Sequence, residues 1–179
     1  MNIIMIHGNG GATSADIWFP SVAAALRAKG LIVINQTFPD NDITLAASWL
    51  PFIESLGANE DTVIIGHSSG AVAAIRYAET HRILGSVLIG SCHTDLGDAT
   101  EKASGWYDAP WDWETIARNQ DWIIHFASTD DPFIPSAESR FVHAHVGGEY
   151  HEYSDKGHFL IPEFPELIEA IAMKMETDE

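Results

Sequence analysis

Gly66-His67-Ser68-Ser69-Gly70 fits the pattern G-x-S-x-G, in which a serine stands midway between two glycines. A serine hydroxyl is a weak nucleophile. It attacks an acyl carbon only when a nearby base takes its proton and an acid orients that base. The glycine spacing has a steric meaning: on a sharp strand-to-helix turn, residues two before and two after the serine come close together, and glycine leaves room. Ser68, the middle residue, is therefore the nucleophile candidate, with Ser69 following it. The same five residues would also suit an ordinary Gly/Ser-rich turn, so their surroundings decide. A phosphate-binding loop fits less well. Neither G-x-G-x-x-G nor G-x-x-x-x-G-K-[ST] occurs, and the turn carries no lysine.

The surroundings have the required form. The apolar run Thr62–Ile65 leads into the turn, and the small-residue pattern Ala71-Val72-Ala73-Ala74-Ile75 leads out of it. Similar β-rich runs recur at Asn2–Ile6, Leu31–Ile34, Ser86–Ile89 and Trp122–Phe126, as strands buried on both faces of a parallel sheet would. Glu149–Tyr153 is more polar and alternates, as an edge strand would. Helical patterns lie between the runs at Ile17–Lys29, Thr44–Leu56, Ser69–His81, Trp113–Asn119, Ser136–His145 and Phe164–Met175, with Gly30 and Gly57 where C-caps belong. The alternation predicts a single three-layer α/β domain over residues 1–179, with a mostly parallel sheet of about six strands. Ser91 to Asp112 breaks the rhythm. Trp106, Tyr107 and Trp111 in that segment, with Trp113 just after it, are candidates to wall an acyl pocket; packing of the segment onto the sheet is the plainer alternative.

The sheet narrows the choice of base and acid. With a nucleophile at such a turn, the acid comes later in the chain and the histidine last. Strand Trp122–Phe126 runs into Ala127-Ser128-Thr129-Asp130-Asp131-Pro132-Phe133-Ile134-Pro135. The frame D-x-x-I-P, met in α/β-hydrolases, selects Asp131, leaving Asp130 to cap or solvate the turn. Among the later histidines, His143 and His145 end a helical pattern and His151 falls within the edge strand, whereas His158 lies in a loop after the last strand. Such a loop at the carboxyl end of the sheet can bring a base to the serine. The oxyanion that forms during attack needs two fixed N–H donors. One is expected from Ser69 at a helix N-terminus. The other is expected from the loop His7-Gly8-Asn9-Gly10-Gly11, with Asn9 first and Gly10 second. This chemistry requires no metal and no organic cofactor, and the spacing of His143 and His145 gives metal binding little support.

Composition limits the partners. The chain carries 26 acidic against 9 basic residues, a formal charge of −17, which opposes binding to nucleic acid or anionic membranes and otherwise says little beyond solubility. Cys92 is the only cysteine, so no intrachain disulfide is possible and a cytoplasmic setting is expected. Met1 to Ile6 lacks a basic n-region and reads as a first strand, and no apolar run approaches the ~20 residues needed to span a bilayer.

Together, GHSSGAVAAIRYAETHR (Gly66–Arg82), DLGD…ASGWY…PWDWE (Asp95–Glu114), STDDPFIP (Ser128–Pro135) and GHF (Gly157–Phe159) resemble the retinoblastoma-binding protein 9 group of small serine hydrolases. The resemblance spans nearly the whole chain. It implies an α/β-hydrolase without a separate cap domain, a triad on Ser68, Asp131 and His158, and esterase or peptidase activity on small acyl substrates, with aminopeptidase activity among them. Retinoblastoma-type pocket binding is associated with L-x-C-x-E. The nearest stretch here, Leu56 to Glu60, has Ala58 where cysteine should stand, so that binding is not expected. The rival expectation is a binding or scaffold module that keeps the fold with little turnover; a complete set of catalytic residue types in the right order weighs against it.

Overall fold

A computed structural model describes residues 1–177. Six strands, β1 (Asn2–Ile6), β2 (Ile32–Asn35), β3 (Thr62–His67), β4 (Gly85–Ile89), β5 (Trp122–Ser128) and β6 (Glu149–Tyr153), form one sheet in the order β2-β1-β3-β4-β5-β6. All five pairings are parallel. Every carboxyl end therefore lies along one edge, where loops can converge. The polar run at residues 149–153 is indeed an edge strand.

The helices are α1 (Phe19–Ala28), α2 (Ala46–Ser55), α3 (Ser69–Ala78), α4 (Ala99–Ala103), α5 (Trp113–Arg118), α6 (Ser136–Val146) and α7 (Pro165–Thr177). Alternation along β1 sorts them into two layers. Ile3 and Met5 face a core completed by Trp18, Phe19, Val22 and Leu26 at α1 and by Leu167 and Ile171 of α7. Ile4 and Ile6 face the other core, with Trp49 and Ile53 of α2, α3, Ile116 of α5 and Val142 of α6. Helix α3 is buried throughout, which explains its small residues. Gly30 and Gly57 adopt φ of 89° and 84° just beyond α1 and α2, as helix-ending glycines do. The sequence pattern does not anticipate α4, which interrupts the segment expected to be irregular. Asp98 caps it, accepting from the N–H groups of Thr100 and Glu101.

Several buried side chains are polar, among them one on β5. His125 on β5 is fully buried, and its Nε2–H donates to the Gly147 carbonyl at 2.9 Å. Burial pushes its pKa down to about 4, outweighing that bond. The folded protein thus holds this imidazole neutral while the unfolded chain binds a proton near pH 6.5. Its stabilising effect is complete above that pH and is lost as the pH falls toward about 4. Urea unfolding at pH 7, 6 and 5 is expected to show stability falling by up to ~1.4 kcal/mol per pH unit from this residue, with a shallower fall in His125→Phe. Equal slopes in the two proteins would contradict this.

Candidate active site

Ser68 joins β3 to α3 with φ 55° and ψ −118°, a conformation costly for any residue with a Cβ. The flanking glycines make the turn possible. A Cβ on Gly66 would lie 2.2 Å from the Gly70 carbonyl oxygen, and one on Gly70 would lie 2.2 Å from the Ile6 carbonyl oxygen of β1. The Ser68 N–H donates to the Ile89 carbonyl at 2.8 Å, tying the turn to β4. Although Ser68 occupies the N-cap position, its side chain caps nothing, and its hydroxyl has no hydrogen-bond partner among the described residues. It lines a cleft of about 940 Å³ at the carboxyl edge of the sheet.

His158 lines the same cleft. Its Nδ1–H donates to Asp131 Oδ2 at 2.7 Å, which leaves Nε2 as the nitrogen able to accept a proton. Asp131 Oδ1 accepts from the N–H groups of Phe133 and Ile134 at 2.8 and 2.9 Å. These bonds give the D-x-x-I-P frame its physical sense: the carboxylate is fixed by the turn that follows it. The Asp131 side chain is 1 % exposed and that of His158 9 %, so water competes weakly for their bond. Burial pushes the Asp131 carboxyl up, but the bonds from His158, Ile134 and Phe133 together hold it below the usual carboxylate range.

The loop bearing His158 is held from several sides. His67 Nε2–H donates to the His158 carbonyl at 2.8 Å, and Trp18 Nε1–H donates to the Phe159 carbonyl at 3.1 Å. His67 is buried, which drives its pKa down to about 3 and keeps it neutral beside His158. Asp130 does more than solvate its turn. Its Oδ1 accepts from the Gly157 N–H at 2.9 Å and from Ser128 Oγ–H at 2.5 Å, and Ser128 Oγ in turn accepts from the Lys156 N–H at 3.1 Å. The two adjacent acids divide the work: Asp131 holds the ring, and Asp130 holds the backbone beside it. Gly90 beside His158 has a φ of +59°, a conformation that favours glycine, and a Cβ there would stand at ordinary contact distance from the His158 ring. Sequence reasoning missed His67, Ser128 and Trp18, whose roles arise from contacts between distant segments. None of His143, His145 and His151 lines the cleft. His145 bonds within α6, and His151 stacks on Phe126.

Opposite this pair runs the loop after β1. The Phe38 N–H donates to His7 Nε2 at 2.8 Å, so the proton lies on Nδ1, which donates to the Gly8 carbonyl at 2.7 Å. The N–H groups of Gly10 and Gly11 donate to the Asp42 and Asn41 carbonyls, both at 3.1 Å. Gly10 is thereby removed as an oxyanion donor. The backbone N–H groups of Asn9 and Ser69 have no acceptor among the described residues, and Asn9 lines the cleft.

The aromatic cluster requires a correction. Trp106, Tyr107, Trp111 and Trp113 do not line the cleft. Trp106 is fully buried, Trp111 donates to the His93 carbonyl and stacks on Trp113, and Tyr107 lies against Cys92. Arg76 of α3 lies over the Trp111 ring and donates to the carbonyls of Trp106, Ala109 and Pro110. This desolvated cation pulls the aromatic half of the segment onto α3. The other half, with Leu96, Asp98, Thr100 and Glu101, reaches the cleft. The signal for it was D-x-x-E at Asp98 to Glu101, a helix-start pattern. Among the described residues, no group of three or more His, Cys, Asp or Glu is placed to hold a metal ion.

The model of the alpha/beta hydrolase family matches residues 3–125 of this chain. The chain belongs to that family. It is 42% identical over 171 residues to serine hydrolase RBBP9 of Rattus norvegicus, covering 94% of this chain and 92% of the relative. It is thus a serine hydrolase of the α/β-hydrolase family. The crystal structure of the ydeN gene product from B. subtilis superposes with a TM-score of 0.89 over 98% of both chains at 20% identity. An esterase from Rhodococcus, RhEst1, superposes at 0.70 over 98% of this chain and 90% of its own, at 15% identity. At those identities the likeness is one of fold.

The two acids give a direct comparison. Asp131→Asn is expected to lower kcat by about 10³–10⁴-fold, because the imidazole loses the partner that sets its tautomer. Asp130→Asn is expected to cost about tenfold or less, since the loop keeps its other holds. Steady-state kinetics with a chromogenic ester, with Tm as a folding control, would reverse the assignment if Asp130→Asn were the more damaged.

Proposed function

We propose that this protein hydrolyses small acyl substrates, esters or peptide amides, through an acyl-enzyme on Ser68. The observation that carries this reading is the partly buried 2.7 Å bond between His158 Nδ1 and Asp131 Oδ2, beside a cleft that both His158 and Ser68 line, the Ser68 hydroxyl having no partner among the described residues. His158 Nε2 takes the Oγ proton as Oγ attacks the acyl carbon. The oxyanion is met by the N–H groups of Asn9 and Ser69, the latter at the positive end of α3. His158 then returns the proton to the departing alkoxide or amine. A water molecule, deprotonated by the same nitrogen, cleaves the acyl-enzyme and frees Ser68. Asp131 stays ionised and stabilises the imidazolium at both stages.

The cleft also narrows the substrate. Asp16, Asp42, Asp98 and Glu101 line it with no lysine or arginine among the lining residues, while Leu96, Phe133 and Leu160 supply exposed apolar surface. Neutral acyl groups suit such a cleft, and anionic ones are repelled by it and by the charge of −17. No helix among the described residues is long and apolar enough to cross a membrane. A cytoplasmic setting goes with this reading, supported by the single buried cysteine. Pocket-protein binding through Leu56 to Glu60 is no part of it, given Ala58.

A fluorophosphonate probe is expected to label the wild-type protein and not Ser68→Ala; wild-type protein that stays unlabelled, with Ser68 shown accessible, would leave a scaffold role in its place. In a panel of aryl esters and aminoacyl amides, an acyl group ending in a carboxylate is expected to lower kcat/KM about tenfold against its neutral counterpart at low salt. The gap should narrow as salt is raised. An equal or greater rate for the anionic ester would remove the electrostatic part of the proposal.

A further inference from the structure

The loop after β1 is fixed more firmly than a glycine-rich turn needs to be. His7 holds the Gly8 carbonyl, and Gly10 and Gly11 are bonded to residues 42 and 41. A fourth hold comes from far along the chain. Asn9 Nδ2–H donates to Glu101 Oε1 at 2.5 Å. Glu101 stands third in α4, where the acid of a reciprocal capping box would turn back to the Asp98 N–H. That N–H is already donated to the Asp95 carbonyl, so the Glu101 side chain is released to reach Asn9.

The far side of Glu101 is anchored as well. The Tyr107 hydroxyl lies 3.5 Å from Oε2, and Cys92 Sγ lies 3.1 Å from that hydroxyl. Burial pushes the Cys92 thiol up to about 12, so it remains a protonated donor. On either side of Tyr107 the segment is fastened to α3 by Arg76, through the carbonyls of Trp106 and Ala109. The carboxylate thus joins a rigid layer of the fold to one residue of the cleft. Desolvation raises the Glu101 pKa, a cost that an apolar brace would not carry and that a directional bond to Asn9 accounts for.

We infer that Glu101 is a positioning residue: by holding the Asn9 side chain, it fixes the direction in which the Asn9 N–H meets the developing oxyanion. This rests on the reading of Asn9 as an oxyanion donor. Segment 91–112 thereby serves the reaction by bracing the loop after β1, while its aromatic residues stay away from the acyl group.

Glu101→Ala is expected to lower kcat about 10–100-fold with KM changed less than about threefold, because the misdirected donor would have bonded only the charge that develops in the transition state. A boronic acid, whose tetrahedral adduct on Ser68 places an oxygen in the same position, should weaken by the same factor as kcat/KM falls. Glu101→Gln keeps an acceptor for Asn9 Nδ2 and should recover most of kcat. Asn9→Ala removes the same bond from the other side and keeps the backbone N–H, so the double variant should be no worse than the poorer single one. This arm stands even if Glu101→Ala folds badly. Wild-type kcat in Glu101→Ala, additive losses in the double variant, or a rise in KM confined to substrates with a free ammonium would overturn the brace while leaving the acyl-enzyme reading intact. Wild-type protein that neither turns over esters nor reacts with a fluorophosphonate would remove that reading, and the brace with it.

Discussion

Gly70 meets the Ile6 carbonyl across a gap that no Cβ could occupy, and Gly66 meets the Gly70 backbone in the same way. These two approaches allow β3 to turn into α3 within one residue, with Ser68 at a positive φ. The strain at Ser68 persists because the sheet and the buried helix on either side over-determine the turn. Its return is geometric. The hydroxyl makes no cap bond to the backbone, and the Ser69 N–H beside it has no acceptor among the described residues. Everything else at the carboxyl edge of the sheet is arranged around that fixed point.

The opposite wall is built from weaker parts held at many points. His158 sits in a loop containing two residues at positive φ, Gly157 and Phe159, and such a loop would wander without restraint. Bonds from Asp131, Asp130, Ser128, His67 and Trp18 reach it from three different regions of the chain. The neutral bonds are each worth only about 1 kcal/mol, and those to the two carboxylates about 2 kcal/mol. Together they confine an imidazole whose Nδ1 is bonded to Asp131 and whose Nε2 is left as the nitrogen able to accept a proton. His67 serves twice, as the residue before Ser68 in the turn and as a donor to the His158 carbonyl.

Between β4 and α5 the chain shows how one segment can hold two environments. Its aromatic half is drawn onto α3 by the buried Arg76 guanidinium, which must find acceptors once desolvated and finds them in the Glu79 carboxylate and in the carbonyls of Trp106, Ala109 and Pro110. Its acidic half stays at the cleft. Large aromatic residues in a long connection are as ready to complete a core as to wall a pocket, and here the buried cation settled the matter in favour of the core.

Much of this was legible in the residues alone, because period and punctuation are local properties. Unalternating β-rich runs, helical spacing and helix-ending glycines set the order of strands and helices, and G-x-S-x-G following a strand singled out Ser68. D-x-x-I-P and the loop position of His158 named the two residues that the structure joins at 2.7 Å. Ends of elements shifted by a few residues, and α4 was missed despite its D-x-x-E start. What the tertiary structure alone decided are the contacts between distant segments: Asp130 with Gly157, His67 with the His158 carbonyl, Glu101 with Asn9, Arg76 with the carbonyls after Trp106. Each is a hydrogen bond whose partners are chosen by which loops the sheet order brings side by side. Sequence spacing carries no trace of that choice, whereas the strained serine turn is written within five consecutive residues.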